Sequence, residues 1–198
     1  MRLLGHKIAV LMESDYYEPE ILYYQQRFPE EGAEVHFLTR LWGAGAQTFS
    51  GHEHQFPFEV TRSFEDLDDA ALGEYSAVIV PSGMVADRLR YTEDAAVLPP
   101  ATAFLGRAFD DPGILKGIIC HGMWLAAPIP DAVRGRRAVV HNNLLGDLRN
   151  MGGIYVDQDV VIDADLVTAR TGAHCHLFAR TLIDLIAERA PRTAPQAA

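Results

Sequence analysis

Cysteine is scarce in this sequence, because its 198 residues contain only Cys120 and Cys175. Two cysteines cannot build the disulfide framework of a small secreted domain, so a reducing cytoplasm is the expected location. Long hydrophobic runs are also missing, since no apolar stretch is long enough to span a bilayer. Residues 1–12 lack the apolar core and the small-residue cleavage site of a secretory signal. We therefore expect a cytoplasmic protein with no membrane partner.

Positive charge is also limited. Lys and Arg number 17 against 27 Asp and Glu, which gives a formal net charge of −10. Such a surface repels nucleic acid, and no basic cluster offsets it. The sequence has neither a Gly-rich phosphate loop nor a nicotinamide fingerprint, so no cofactor is predicted. His52 and His54 could lie on one face of a strand, but a third and a fourth ligand are not evident, so we predict no metal site.

Strand and helix patterns alternate along the chain. Residues 7–12 (KIAVLM) form a continuous apolar strand, which is typical of a parallel sheet covered on both faces. A helix from Pro19 to about Glu31, ended by Gly32, and a strand at 34–39 complete a β-α-β unit. Further strands are predicted at 77–80, 114–119, 138–140, 160–162 and 166–169, a hairpin or edge excursion at 47–60, and helices at 66–72, within 91–109, at 144–151 and at 173–189.

This alternation predicts one α/β domain over residues 1–190, a flavodoxin-like three-layer α/β/α sandwich with a mostly parallel central sheet. Residues 191–198 are predicted to be a disordered tail. Functional groups of such sheets gather at the carboxyl ends of the parallel strands. Three candidates fall there: the loop before Glu20, the turn at Ser82 and Gly83, and Cys120.

The stretch at 117–124 (GIICHGMW) is the most informative in the chain. It places Cys120 on the turn between a buried strand and a helix, the position of a nucleophile elbow. A helix N-terminus beside the sulfur would favour thiolate over thiol. The alternative is a buried core cysteine, because free cysteine is among the most buried residue types. His121 and Gly122, which follow directly, are not needed by a core strand, so they favour a functional cysteine over a core one.

Several side chains could serve that sulfur. His121 is the adjacent candidate for a general base or an imidazolium partner. Asp87 could orient such a histidine, or it could be a solvated residue paired with Arg88 or Arg90. Glu20, if it points inward, would be protonated and would donate a hydrogen bond, because burial raises the pKa of a carboxyl group. His174 is a candidate for lining the cleft, while Cys175 is most simply a core residue.

Four motifs occur in a characteristic order: KIAVL at 7–11 followed by Glu20, VPSG at 80–83, ADRLR at 86–90, and ICHG at 119–122. Together they resemble the ThiJ/PfpI superfamily, which belongs to the class I glutamine amidotransferase-like fold. The likeness extends from Lys7 to Arg189. The Cys-His pair is most similar to the PfpI-type branch.

The resemblance implies a role for each matching residue. Cys120 would be the nucleophile and Glu20 the acid hydrogen-bonded to it. The backbone N–H groups of Gly83 and His121 would form the oxyanion hole. Asp87 would reach the histidine of a neighbouring subunit, which implies a homodimer or a higher homo-oligomer.

Three features depart from the family pattern. Ser82 stands where the family has glycine. Met123 and Trp124 follow the Cys-His-Gly motif, where a proline is common, and are expected to narrow the pocket. His174 occupies a position that is more often acidic, and it is also expected to line the pocket.

The resemblance leaves the activity open. A glyoxalase III or deglycase-like reaction and an intracellular peptidase or amidase reaction both fit a cysteine nucleophile, with a small molecule or a peptide as substrate. The first alternative is a redox-responsive stress protein without turnover, whose Cys120 is oxidised to sulfinate. The second is a structural dimer with a vestigial site.

Overall fold

Six strands form the central sheet of the computed structural model, which describes residues 1–192. In sheet order they are Glu34–Leu38 (β2), Lys7–Leu11 (β1), Tyr75–Val80 (β5), Leu115–Ile119 (β6), Leu166–Ala169 (β10) and Val160–Asp163 (β9). All neighbours pair in parallel except β9 and β10, which are antiparallel. The mostly parallel sheet predicted from the sequence is therefore confirmed.

Two small sheets accompany the central one. The predicted hairpin is present as antiparallel strands Gln47–Ser50 (β3) and Pro57–Val60 (β4). Strands Arg137–Ala138 (β7) and Ile154–Tyr155 (β8) form a short parallel pair. The strand expected at 138–140 is shorter than predicted, because the Val139 N–H donates to the Thr168 side-chain hydroxyl at 2.9 Å rather than to a backbone carbonyl of a neighbouring strand.

Six α-helices flank the central sheet and give the α/β sandwich predicted for this chain. They are Glu18–Glu30 (α1), Asp69–Leu72 (α2), Val85–Leu89 (α3), Pro100–Asp110 (α4), Leu145–Asn150 (α5) and Cys175–Ala187 (α6). Helices α1 and α6 pack together, with the rings of Tyr24 and Phe178 6.4 Å apart. The sequence did not predict α3, and the helix expected at 66–72 is divided into a 3-10 turn, Phe64–Asp66, and α2.

The first residues of the predicted tail contact the body of the domain. Arg192 pairs with Asp111 and donates to the Gly73 carbonyl at 2.7 Å. The rest of the predicted tail, residues 193–198, lies outside the described residues. Across residues 1–192, every helix is too short or too polar to cross a lipid bilayer.

A buried lysine lies inside the sheet. Lys116 of β6 is fully buried and pairs with Asp165, which also pairs with Arg136. Burial lowers the pKa of Lys116, while Asp165 acts in the opposite direction. The ammonium group thus depends on this carboxylate for its charge partner.

Asp165→Asn is therefore expected to destabilise the protein by about 3 kcal/mol, because it leaves a buried ammonium without its counter-charge. Urea unfolding at pH 7 measures the loss. Asp131→Asn is the matched control, since it breaks an exposed pair with Arg134 and should change stability by less than about 0.5 kcal/mol. Equal effects of the two variants would contradict the prediction.

Candidate active site

Cys120 lies directly after β6 and opens a 3-10 segment, Cys120–Ala126, rather than the expected α-helix. Its φ is +60°, a left-handed conformation that costs a residue with a Cβ conformational energy. Gly122 makes the tight turn possible, because a Cβ there would lie 2.6 Å from the Val80 carbonyl oxygen. The strained bend predicted for the nucleophile position is therefore present in the backbone.

A cleft of about 310 Å³ opens beside the sulfur. Loops that follow β1, β5, β6 and β10 contribute to it, so the carboxyl ends of the parallel strands meet here as expected. Its lining residues are Tyr17, His52, Ser82, Gly83, Met84, Cys120, His121, His141, Thr171, Gly172 and Ala173. Among these described residues there is no Asp, Glu, Lys or Arg side chain.

The Cys120 thiol is 8% exposed, and burial raises its pKa to about 11. Backbone N–H groups of Gly172, His121 and Gly83 act in the opposite direction, while the nearby Glu20 carboxyl raises the pKa further. The expectation of a resting thiolate was wrong. Desolvation of the sulfur outweighs the hydrogen-bond donors around it.

His121 is the side chain closest to serving as a base. Its Nδ1 lies 3.3 Å from the Cys120 sulfur. Burial and the neighbouring His141 both lower the pKa of His121. The ring is stacked on His141 with centroids 4.5 Å apart and contacts Trp124 at 5.0 Å. A neutral imidazole held in this way can accept the thiol proton.

Glu20, in the first turn of α1, is fully buried, and burial raises its pKa to about 7. Its Oε2 accepts hydrogen bonds from the Ser82 N–H at 3.0 Å and from the Ser82 hydroxyl. Its Oε1 has no hydrogen-bond partner among residues 1–192. Both hydrogen bonds of this carboxyl therefore come from Ser82, whereas the family resemblance implied one to Cys120.

Asp87 lies away from the cleft. It is exposed on α3 and lines a separate groove with Glu13, Trp42 and Arg88, among others. The alternative of an ion pair with Arg88 or Arg90 is not present among the described residues, and Arg88 instead pairs with Asp15. Within residues 1–192, no hydrogen bond or ion pair joins Asp87 to His121, and Asp87 does not line the cleft.

The three residues predicted to line the pocket do not line it. Met123 is 1% exposed and belongs to the core. Trp124 packs against His121 instead of facing the cleft. His174 turns away, with Nδ1 2.8 Å from the Thr171 hydroxyl and Nε2 3.4 Å from Asp159. The closeness of these three residues to Cys120 or Cys175 in the sequence therefore did not indicate the direction of their side chains.

Other cleft residues were not predicted for this site. His141 follows β7, where the rule of strand carboxyl ends could have drawn attention to it. His52 was considered only as a metal ligand, and the described residues contain no group of three or more His, Cys, Asp or Glu side chains able to hold a metal ion. The loop carrying His52 is held by buried Glu18, which accepts the N–H groups of Glu53 at 2.8 Å and His54 at 2.7 Å.

A cysteine on a strained turn after a central parallel strand, beside a histidine and a small cleft, defines a class of α/β proteins with an elbow-type cysteine site. The family model described as DJ-1/PfpI matches residues 6–185, so the chain belongs to the DJ-1/PfpI family. The resemblance drawn from the sequence motifs is thereby confirmed.

Two curated relatives and one solved structure illustrate the similarity. Deglycase PH1704 of Pyrococcus horikoshii is 26% identical over 91% of this chain and 99% of its own length. Protein/nucleic acid deglycase 2 of Escherichia coli is 28% identical over 92% of this chain and 99% of its own. The ThiJ/PfpI domain protein of Brachyspira murdochii superposes with a TM-score of 0.77 at 14% identity, covering 94% of this chain and 99% of that one, which supports the fold alone.

Proposed function

We propose that this protein is a cysteine-dependent enzyme of the deglycase type that acts on small dicarbonyl compounds and their amine adducts. The observation that carries the proposal is Cys120 itself, on a strained turn that faces the cleft with His121 Nδ1 at 3.3 Å. Relatives named deglycases, which align over nearly their whole length, support the same chemistry.

The proposed chemical step begins from a neutral thiol. The Cys120 sulfur forms a bond to a carbonyl carbon, the carbonyl π electrons move to oxygen, and the thiol proton passes to His121 Nδ1. The N–H groups of His121 and Gly83, with that of Gly172, stabilise the resulting oxyanion.

With methylglyoxal, the oxyanion is protonated to a thiohemiacetal, and a proton then moves from the former aldehyde carbon to the neighbouring ketone carbon, which gives a hydroxyacyl thioester. One water hydrolyses the carbon–sulfur bond, which releases the hydroxy acid and regenerates the Cys120 thiol. With an amine adduct, the sulfur displaces the amine from the same carbon, the free amine leaves, and the thiohemiacetal follows the same route.

The cleft favours a small substrate over a peptide. A volume of about 310 Å³ holds a short carbonyl compound or the tip of a modified side chain. Its lining carries no Asp, Glu, Lys or Arg among the described residues, so it suits an uncharged dicarbonyl unit.

The redox alternative is less well supported. With the thiol pKa raised to about 11, thiolate makes up about one part in 10⁴ at pH 7, and thiolate is the form that peroxide oxidises. In the enzyme the same difficulty is met by His121, which takes the proton only as the sulfur attacks.

A substrate panel tests the proposed function. Free methylglyoxal, methylglyoxal-modified N-acetyl-lysine and an unmodified peptide amide are incubated with the protein, and the products are followed by NMR. We expect a hydroxy acid from the first two, with release of free N-acetyl-lysine from the second, and no cleavage of the third. Cleavage of the peptide amide alone, or turnover of none of the three compounds, would contradict the proposed function.

We further propose that Asp87 acts on His121 of a second copy of the chain. Asp87→Asn and Cys120→Ala should each be weakly active alone. If the chains assemble as a dimer and exchange, an equal mixture should recover about a quarter of the wild-type sites, because one site of each mixed dimer is intact. Mixing Cys120→Ala with Cys120→Ser is the control and should recover nothing. No recovery in the first mixture would contradict a role between subunits.

A further inference from the structure

Ser82 provides both hydrogen bonds that the buried acid receives. It is 1% exposed, and it donates its N–H at 3.0 Å and its hydroxyl to the same oxygen, Glu20 Oε2. The family resemblance predicts glycine at this position, so the hydroxyl is a feature of this chain. A glycine would leave only the N–H.

The two oxygens of Glu20 are therefore not equivalent. Oε2 accepts both the N–H and the hydroxyl of Ser82, which occupies both lone pairs of a carbonyl oxygen, so Oε2 is the carbonyl oxygen of the neutral acid. The proton then belongs on Oε1, which is buried and has no hydrogen-bond partner within residues 1–192. The Tyr24 hydroxyl, one helical turn further along α1, also has no hydrogen bond of good geometry there, but it lies close enough to Glu20 to lower the pKa of the carboxyl.

We propose that Ser82 is a positioning residue: its N–H and hydroxyl hold Glu20 Oε2 and thereby place the proton of this acid, which lies near Cys120, on Oε1. The two hydrogen bonds are observed in the structure. Their effect on catalysis rests on the proposed function, in which a negative charge on Glu20 would influence the Cys120 sulfur.

The surroundings of Glu20 leave this task to Ser82. The titratable groups that act on it are Tyr17 and Tyr24 from the α1 region, Cys120 from the 3-10 segment, and Cys175 from α6. Burial raises the pKa of each of these four groups, so all are neutral near pH 7. Burial also raises the Glu20 pKa. The Ser82 hydroxyl is the strongest influence that lowers it, followed by the Tyr24 hydroxyl and the Ser82 N–H.

The test is a carboxyl ¹³C NMR titration of protein labelled at the Glu side-chain carboxyls, with the Glu20 signal assigned by its loss in Glu20→Gln. Wild type should titrate near pH 7. Ser82→Ala and Ser82→Gly should both move the midpoint upward by about one pH unit, because a hydrogen bond to the ionised form is lost. Ser82→Thr keeps a hydroxyl and should stay within a few tenths of a pH unit of wild type.

Ser76→Ala is the matched control, since Ser76 is also buried but its hydroxyl contacts His6. An unmoved midpoint in the folded Ser82→Ala or Ser82→Gly variant, or an equal shift in Ser76→Ala, would overturn the proposal. If the midpoint shifts in Ser82→Ala but the wild-type protein turns over no dicarbonyl substrate, the role of Ser82 is upheld and the proposed function is contradicted. If the midpoint does not shift and the wild-type protein turns over the substrate, the role of Ser82 is contradicted and the proposed function is upheld.

Discussion

Cys120→Ala is expected to lower kcat/KM for dicarbonyl turnover by about 10⁴-fold or more, because removal of a nucleophile that works with a base abolishes the shared step. The fold should survive, since alanine fits where the thiol was. The measurement is steady-state turnover of methylglyoxal-modified N-acetyl-lysine by the two proteins at pH 7.

Cys175→Ala is the matched control for this prediction. Cys175 is also buried, and burial also raises its pKa to about 11, but it does not line the cleft. We expect its loss to change kcat/KM by less than about threefold. Residual turnover of Cys120→Ala at a tenth of the wild-type rate would show that the sulfur is not the nucleophile.

The raised thiol pKa predicts how the resting protein responds to pH. The rate of Cys120 alkylation by iodoacetamide, read from peptide masses, should keep rising through pH 9, because the thiolate fraction increases until pH approaches about 11. A plateau already reached at pH 7 would mean that the thiolate forms without help from a base.

The second large effect concerns Glu20 and stability. Its pKa is raised from 4.5 to about 7 in the folded protein, so between these values the native state holds more protons than the unfolded state. The contribution of Glu20 is fully present below pH 4.5 and is lost as pH rises through 7. The free energy of unfolding should therefore fall by about 3 kcal/mol from this group between pH 4.5 and 8.

Glu20→Gln should remove this pH-dependent loss, because an amide keeps an acceptor for Ser82 without a charge that burial penalises. Urea unfolding of the two proteins at a series of pH values between 5 and 8 measures the difference. Glu188→Gln, at an exposed acid after α6, serves as the control and should keep the wild-type slope. Parallel curves for wild type and Glu20→Gln would contradict the raised pKa of Glu20.

Much of this architecture could be predicted from the sequence. The apolar strand at Lys7–Leu11 and the strand before Cys120 lie where their residue patterns placed them. The rule of strand carboxyl ends correctly brought the turn at Ser82 and Gly83 to Cys120. These predictions worked because they depend on local periodicity and on the geometry common to parallel sheets.

The electrostatics of the site could not be predicted in the same way. A helix N-terminus beside Cys120 can be inferred from sequence, but the desolvation that opposes it depends on residues distant in the chain. His141 and Gly172 follow β7 and β10 and line the cleft, but only the position of these strands in the fold, and no local sequence pattern, indicates this. The orientations of Met123, Trp124 and His174 likewise depend on packing that their neighbours in sequence do not encode.

The carboxylate of Glu18 has a consequence for how a ligand enters. By binding two N–H groups of the loop that carries His52, it fastens one wall of the cleft to the first turn of α1. A ligand therefore binds to a cleft whose wall is already formed, and the loop that carries His52 loses little conformational entropy on binding. For the proposed function, this means that substrate selection depends more on the shape of the cleft than on closure of this loop.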